Sequence, residues 1–119
     1  MFVTSQGSPT ARFRRALATG NATLVLEAAA ELPRVALEDA LAICMVLARE
    51  RDPRYPQAAG RWLGRLVLER GLTLEHGLRA AVALVELGRS PREADPRTTL
   101  AALATARAPQ RPPARDGST

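Results

Sequence analysis

A chain with one histidine and one cysteine has few ways to do side-chain chemistry. His76 is the single imidazole that could pass protons near neutral pH, and Cys44 the single thiol that could act as a nucleophile. A catalytic histidine needs a pocket and an orienting partner. His76 follows Glu75 in what reads as the first turn of a helix, away from the apolar residues, so it is expected on the solvent face. Cys44 lies inside the uninterrupted apolar run from Ala40 to Ala48, with no lysine or histidine nearby to lower its pKa. Its expected role is that of a small buried hydrophobe. The acidic residues are scattered singly, no spacing sets two carboxylates on one apolar face, and there is no glycine-rich phosphate loop. One cysteine and one histidine fall short of a structural zinc site and allow no internal disulfide. The expectation is a non-enzymatic protein with no catalytic, cofactor-binding or metal-binding residues.

Charge and shape are what remain. All 17 cationic side chains are Arg, Lys is absent, and Ala, Gly, Arg and Pro make up nearly half of the 119 residues. GC-rich codons produce such a composition, which weakens the usual step from a basic balance to nucleic acid. Between Gly20 and Ser90 nine Arg balance nine acidic residues, so the net charge of +5 resides at the ends. Arg12, Arg14 and Arg15 form one terminal cluster, and Arg107, Arg111 and Arg115 the other. If the two met in space they could neutralise several phosphates, so weak sequence-independent nucleic-acid binding stands as the alternative function. Phe2, Phe13, Tyr55 and Trp62 do not alternate with Arg, however, and base stacking has no support.

The favoured function is a helical protein-protein interaction module, whose partner is another protein or a second copy of the chain. Arg61, Arg65 and Glu69 form an exposed strip on one helix, and with Arg14 and Arg15 they are the candidate interaction surface. Gly60 and Gly64 stand four apart on that helix, where each interior glycine costs about 1 kcal/mol relative to alanine. Their expected use is close helix packing, within the chain in preference to against a partner. Trp62 shares the spacing of Leu66 and is expected in the core; an exposed Trp62 would instead be the leading contact residue.

The elements that must position these residues are helices, since Ala and Leu dominate and apolar residues recur at three and four. Six are expected. The first runs from Pro9 to Thr19 and ends at Gly20, with Phe13, Ala16 and Leu17 inward. The second is capped by Asn21, lines Leu24, Ala28 and Leu32 on one face, and stops at Pro33. The third, about Ala36 to Glu50, is apolar around most of its circumference and belongs in the middle. The fourth starts near Asp52 and Pro53, buries Tyr55, Ala59, Trp62, Leu63, Leu66 and Val67, and ends at Gly71. The fifth, about Leu74 to Leu87 after Thr73, is expected to turn Leu74, Leu78, Ala81, Val82 and Val85 inward and to pair Glu75 with Arg79 outside. A short sixth helix follows Asp95 and Pro96 and bears Leu100 and Leu103.

Short connections make sequential helices antiparallel neighbours. The fold class is all-α: a stack of helical hairpins, either a compact bundle or a short tetratricopeptide-like or HEAT-like array. One helical domain over residues 9–107 is expected, between a flexible N-terminus at 1–8 and a disordered tail at 108–119 that has nothing to bury. The longest apolar run, nine residues, is far short of the roughly 20 that span a bilayer, and the first residues lack a secretory pattern, so a cytoplasmic protein is expected. Glu69 to Glu75 resembles the opening of a helix-turn-helix domain over about ten residues; the unbroken helix after it makes this a capping pattern. A broader likeness is carried by Arg12-Phe13-Arg14-Arg15-Ala16-Leu17, by Leu32-Pro33-Arg34-Val35 with Glu38 to Cys44, and by Arg61-Trp62-Leu63-Gly64-Arg65. Together these resemble small uncharacterised all-helical proteins of high-GC actinobacteria. That resemblance implies a compact helical fold in a bacterial cytosol and brings no activity or site residue with it.

Overall fold

Local hydrogen bonding sets most of the helix ends. The computed structural model describes residues 8–106, and these form α1 (Pro9–Thr19), α2 (Ala22–Ala30), α3 (Leu37–Arg49), α4 (Tyr55–Arg70), α5 (Leu74–Arg89) and α6 (Ala94–Thr105). The Ser8 hydroxyl accepts from the Ala11 N–H at 3.0 Å, the Asn21 side-chain Oδ1 from the Leu24 N–H at 3.1 Å and the Thr73 hydroxyl from the His76 N–H at 3.2 Å. Each satisfies an N–H that the first helical turn leaves unpaired. Gly20 and Gly71 close α1 and α4 in the left-handed region, at φ 69° and 60°. The Asp52 carboxylate takes the Arg54 N–H, but regular helix begins only at Tyr55, so the two prolines delay α4. The expected flexible N-terminus, Ser8 excepted, and the tail from 108 on lie outside the described residues.

The nearly all-apolar α3 is central: it packs on every one of the other five helices. Leu37, Leu41, Cys44, Leu47 and Ala48 are buried along it, against Phe13 of α1, Val25 of α2, Trp62 and Leu66 of α4, Leu87 of α5 and Leu100 of α6. Two aromatics tie their polar ends to backbone carbonyls in this core. The Trp62 indole N–H donates to Leu37 O at 2.8 Å, and the Tyr55 hydroxyl donates to Leu84 O at 2.7 Å. A buried donor left without a partner costs about 1–3 kcal/mol, so these bonds fix both rings. Trp62 is a core residue, 2% exposed. The last helix returns over α3 and α4 as well as pairing with α5, which closes the helices into a short bundle rather than an open array.

Two helices are rotated from the orientation their patterns suggest. On α2 the buried residues are Ala22 and Val25, while Leu24 is exposed. On α5 the correction is larger. Its buried side chains are Ala80, Ala83, Leu84 and Leu87, and the expected inward residues Leu74, Leu78, Val82 and Val85 all face out. Both sets satisfy the three-and-four spacing of an amphipathic helix, so periodicity alone does not choose between them. The alanines choose: α5 lies against α3, α4 and α6 together, and a helix enclosed on three sides approaches its neighbours most closely with Ala inward.

Candidate functional site

The rotation of α5 leaves an apolar surface without an intramolecular partner. Leu74 is 79% exposed, Leu78 58%, Val82 56% and Val85 55%, in a row along one face of a 16-residue helix. Full burial of such a side chain is worth about 1.5–3 kcal/mol, so each retains roughly half of that to be gained on contact. Isolated exposed apolar side chains are ordinary; Leu74, Leu78, Val82 and Val85 instead form one continuous apolar strip along the helix.

Beside this row the surface dips into a groove of about 610 Å³ between α5 and the end of α3 running into α4. Pro56, Ala59, Gly60 and Leu63 form one wall, and Ala81, Leu84, Val85 and Gly88 the other. Tyr55 closes one end. Its ring edge fills the space where Gly88 lacks a side chain: a Cβ there would stand 3.0 Å from Tyr55 Cε2. Burial raises the Tyr55 phenol pKa above its ordinary value, with the neighbouring Cys44 adding to the effect, so the hydroxyl remains a donor to Leu84. At the same end Asp52 is held down to about 2 by its hydrogen bonds from Arg54, at 2.9 and 2.7 Å. On the other flank of α5 a shallower dip toward α6 is bordered by Leu78, Arg79, Val82, Glu86 and Thr99.

Gly60 and Gly64 do not serve the expected packing. No atom of another helix lies within 4 Å of where a Cβ would sit on either, so neither admits a close neighbour from this chain. Gly60 lines the groove, and the glycine that does permit a close approach is Gly88. The reason is the lean of α4 on α3 and α5 through Ala59, Trp62 and Leu66, which leaves the 60–64 edge outward.

The charged candidates separate into two places. Arg14 and Arg15 are exposed on α1, which packs on α2 and α3 and makes no contact with α4. Arg61 is exposed on α4, whereas Arg65 donates to Glu69 at 2.8 Å one turn later. The Arg65 hydrogen bond is the main cause of a Glu69 pKa below the usual carboxylate range, with Arg70 and Arg34 contributing charge. Arg70 in turn donates to Ala104 O at 2.6 Å and reaches Glu38 at 3.5 Å. Arg65 and Glu69 thus pair with each other along α4, while Arg70 beside them ties α4 to α6 and α3. Arg12 pairs with Glu31, and Arg107, Arg111 and Arg115 lie outside the described residues.

The chemistry-bearing candidates are placed away from the groove floor. Cys44 is 2% exposed among apolar side chains, and this burial pushes its thiol up to about 12. His76 is half-exposed in the first turn of α5. Among the described residues no group of three His, Cys, Asp or Glu could hold a metal ion, and no helix is long and apolar enough to cross a membrane. No family model, curated protein or solved structure matches the chain.

Proposed function

We propose that the protein is a helical interaction module that works through the outward face of α5 and the adjoining α4–α5 groove. The observation that carries this reading is the register of Leu74, Leu78, Val82 and Val85, all more than half exposed on one helix. An apolar helix face laid against another is the ordinary way for a bundle to bind a partner.

The occupant that the face fits is α5 of a second copy, running antiparallel about a two-fold axis at Val82. At about 1.5 Å rise per residue, Leu78 lies about 6 Å before Val82 and Val85 about 4.5 Å after it, so Leu78 meets Val85 of the other copy. Arg79 and Glu86 border the same strip on its α6 side, and in this arrangement Arg79 meets Glu86 across the axis.

Sedimentation across a concentration series tests this with R79E and E86R. Each alone sets like charges together in both symmetric pairs and weakens self-association; an equimolar mixture of the two restores it, because every Arg79–Glu86 contact is again opposite in sign. Rescue by mixing cannot come from a contact within one chain. A photo-reactive residue at Val82, with Thr23 on α2 as the control position, separates the alternatives: crosslinking to a different protein retains the module and replaces the second copy, and no crosslinked polypeptide at Val82 removes the reading.

A further inference from the structure

At the end of the bundle opposite the α5 N-terminus, four arginines from separate segments surround one cleft. Arg49 closes α3, Arg51 follows it, Arg89 closes α5 and Arg92 lies in the α5–α6 connection; with Ser90, Pro91, Glu93 and Ala94 they line a volume of about 610 Å³. All four side chains are exposed, and among the described residues none of the four makes an ion pair. Outside the cleft Arg12, Arg54, Arg65, Arg70 and Arg79 each have a carboxylate partner, whereas among the described residues Arg14, Arg34, Arg61 and Arg97 also lack an ion pair, so what marks the cleft is that four such side chains converge there. Helix C-termini favour a nearby cation, which accounts for Arg49 and Arg89 singly but not for the convergence of four.

The backbone at Arg51 is the second observation. Arg51 adopts φ 55°, the only positive φ outside glycine among the described residues. It follows α3 as a left-handed cap: its N–H donates to Ala48 O at 3.1 Å, and the Asp52 N–H reaches back to Leu47 O at 2.9 Å. The corresponding left-handed positions after α1 and α4 are Gly20 and Gly71. An L-residue with a long side chain is disfavoured there relative to glycine, and strained backbone concentrates at functional sites. Arg51 reaches Gly88 O only at 3.5 Å, too weak a contact to account for its presence.

We infer that this cleft binds a small ligand bearing a diphosphate group, with Arg49, Arg51, Arg89 and Arg92 as its charge partners. Guanidinium pairs phosphate oxygens through two parallel N–H donors. The four cations and the one lining carboxylate, Glu93, leave the wall at plus three, matching the roughly three negative charges of a diphosphate near neutral pH. A cleft of this volume, with its four cations gathered at one point, suits a small molecule, whereas a duplex backbone would require an extended basic track.

Isothermal titration of the full chain with inorganic pyrophosphate tests this, with orthophosphate and duplex DNA titrated in parallel. The expected result is saturable one-to-one binding of pyrophosphate, tighter than orthophosphate, weakened about tenfold or more by Arg49→Ala or Arg89→Ala. Arg61→Ala, outside the cleft, leaves it unchanged. Arg51→Gly is the sharpest arm: it raises the melting temperature by relieving the cap and at the same time weakens pyrophosphate binding, a combination that a purely structural arginine would not give. Absence of saturable pyrophosphate binding overturns the inference. So does binding that Arg61→Ala reduces as much as Arg49→Ala, or a preference for duplex DNA over pyrophosphate.

Discussion

Alanine at three glycines tests the packing of α4 against α5 most sharply, because the same chemical change should have opposite signs. Gly60 and Gly64 occupy the interior of α4, and an added Cβ at either meets no atom of another helix within 4 Å. With no steric cost, Gly60→Ala and Gly64→Ala should each stabilise by about 1 kcal/mol through helix propensity and reduced freedom of the unfolded chain. In a domain of this size each should raise the melting temperature by roughly 4–8 °C. Gly88 differs. Its Cβ would stand 3.0 Å from Tyr55 Cε2, so the ring must give by a few tenths of an ångström, and its 2.7 Å hydroxyl bond to Leu84 O resists that shift. Overpacking of this kind costs about 1–3 kcal/mol, and near a helix end the propensity gain is smaller, so Gly88→Ala should destabilise by about 1 kcal/mol. Thermal unfolding followed by far-UV circular dichroism, on dilute protein, measures all three. A lower melting temperature for Gly60→Ala or Gly64→Ala would mean that another helix covers that edge, and the placement of α4 would be wrong. Tolerance of Gly88→Ala without loss would refute the tethered ring.

The rotation of α5 predicts that Leu84→Ala and Leu87→Ala each lose about 2–5 kcal/mol, whereas Leu78→Ala and Val82→Ala change monomer stability by about 0.5 kcal/mol or less; urea denaturation distinguishes them. Trp62→Phe removes the donor to Leu37 O and should cost roughly 1–3 kcal/mol, and the native emission of this sole tryptophan should be blue-shifted and move red on unfolding. Stability should fall above pH 9: Cys44 and Tyr55 have folded pKa values raised above 9.0 and 10.0, so the unfolded chain ionises first and is stabilised relative to the folded one as pH rises toward 12. Between pH 9 and 10 the thiol dominates this loss, and Cys44→Ala should flatten the slope there in denaturation curves taken across that range.

Local signals were readable in the chain because the groups that make them are close in sequence. Gly20, Asn21, Gly71 and Thr73 act on N–H and C=O groups within a few residues, and the structure places each where its chemistry suggests. The centrality of α3 was equally legible, since only a helix enclosed on most sides tolerates apolar residues nearly all round. The orientation of α5 was not, because Ala80, Ala83, Leu84 and Leu87 compete with Leu74, Leu78, Val82 and Val85 as a stripe, and what decides is the closeness of three neighbouring helices. Glycine content likewise marked α4 without revealing whether the space beside Gly60 is filled or open. The arginine cleft was hidden for a different reason. Arg49 and Arg51 belong to the end of α3 and Arg89 and Arg92 to the end of α5, and only the antiparallel return of the chain brings them together. In a sequence so rich in Arg, composition masked a place where several converge without a carboxylate partner.

If the module works through the outward face of α5, that face is covered when the protein is associated. Hydroxyl-radical footprinting measures this directly, since oxidation of a side chain reports its access to solvent. In dilute purified protein, Leu74, Leu78, Val82 and Val85 should oxidise readily and Leu84 and Leu87 should not. At high protein concentration, Leu78, Val82 and Val85 should become protected while Leu24 on α2 keeps its reactivity. Equal oxidation of the α5 face at every concentration and in cell lysate would contradict the account.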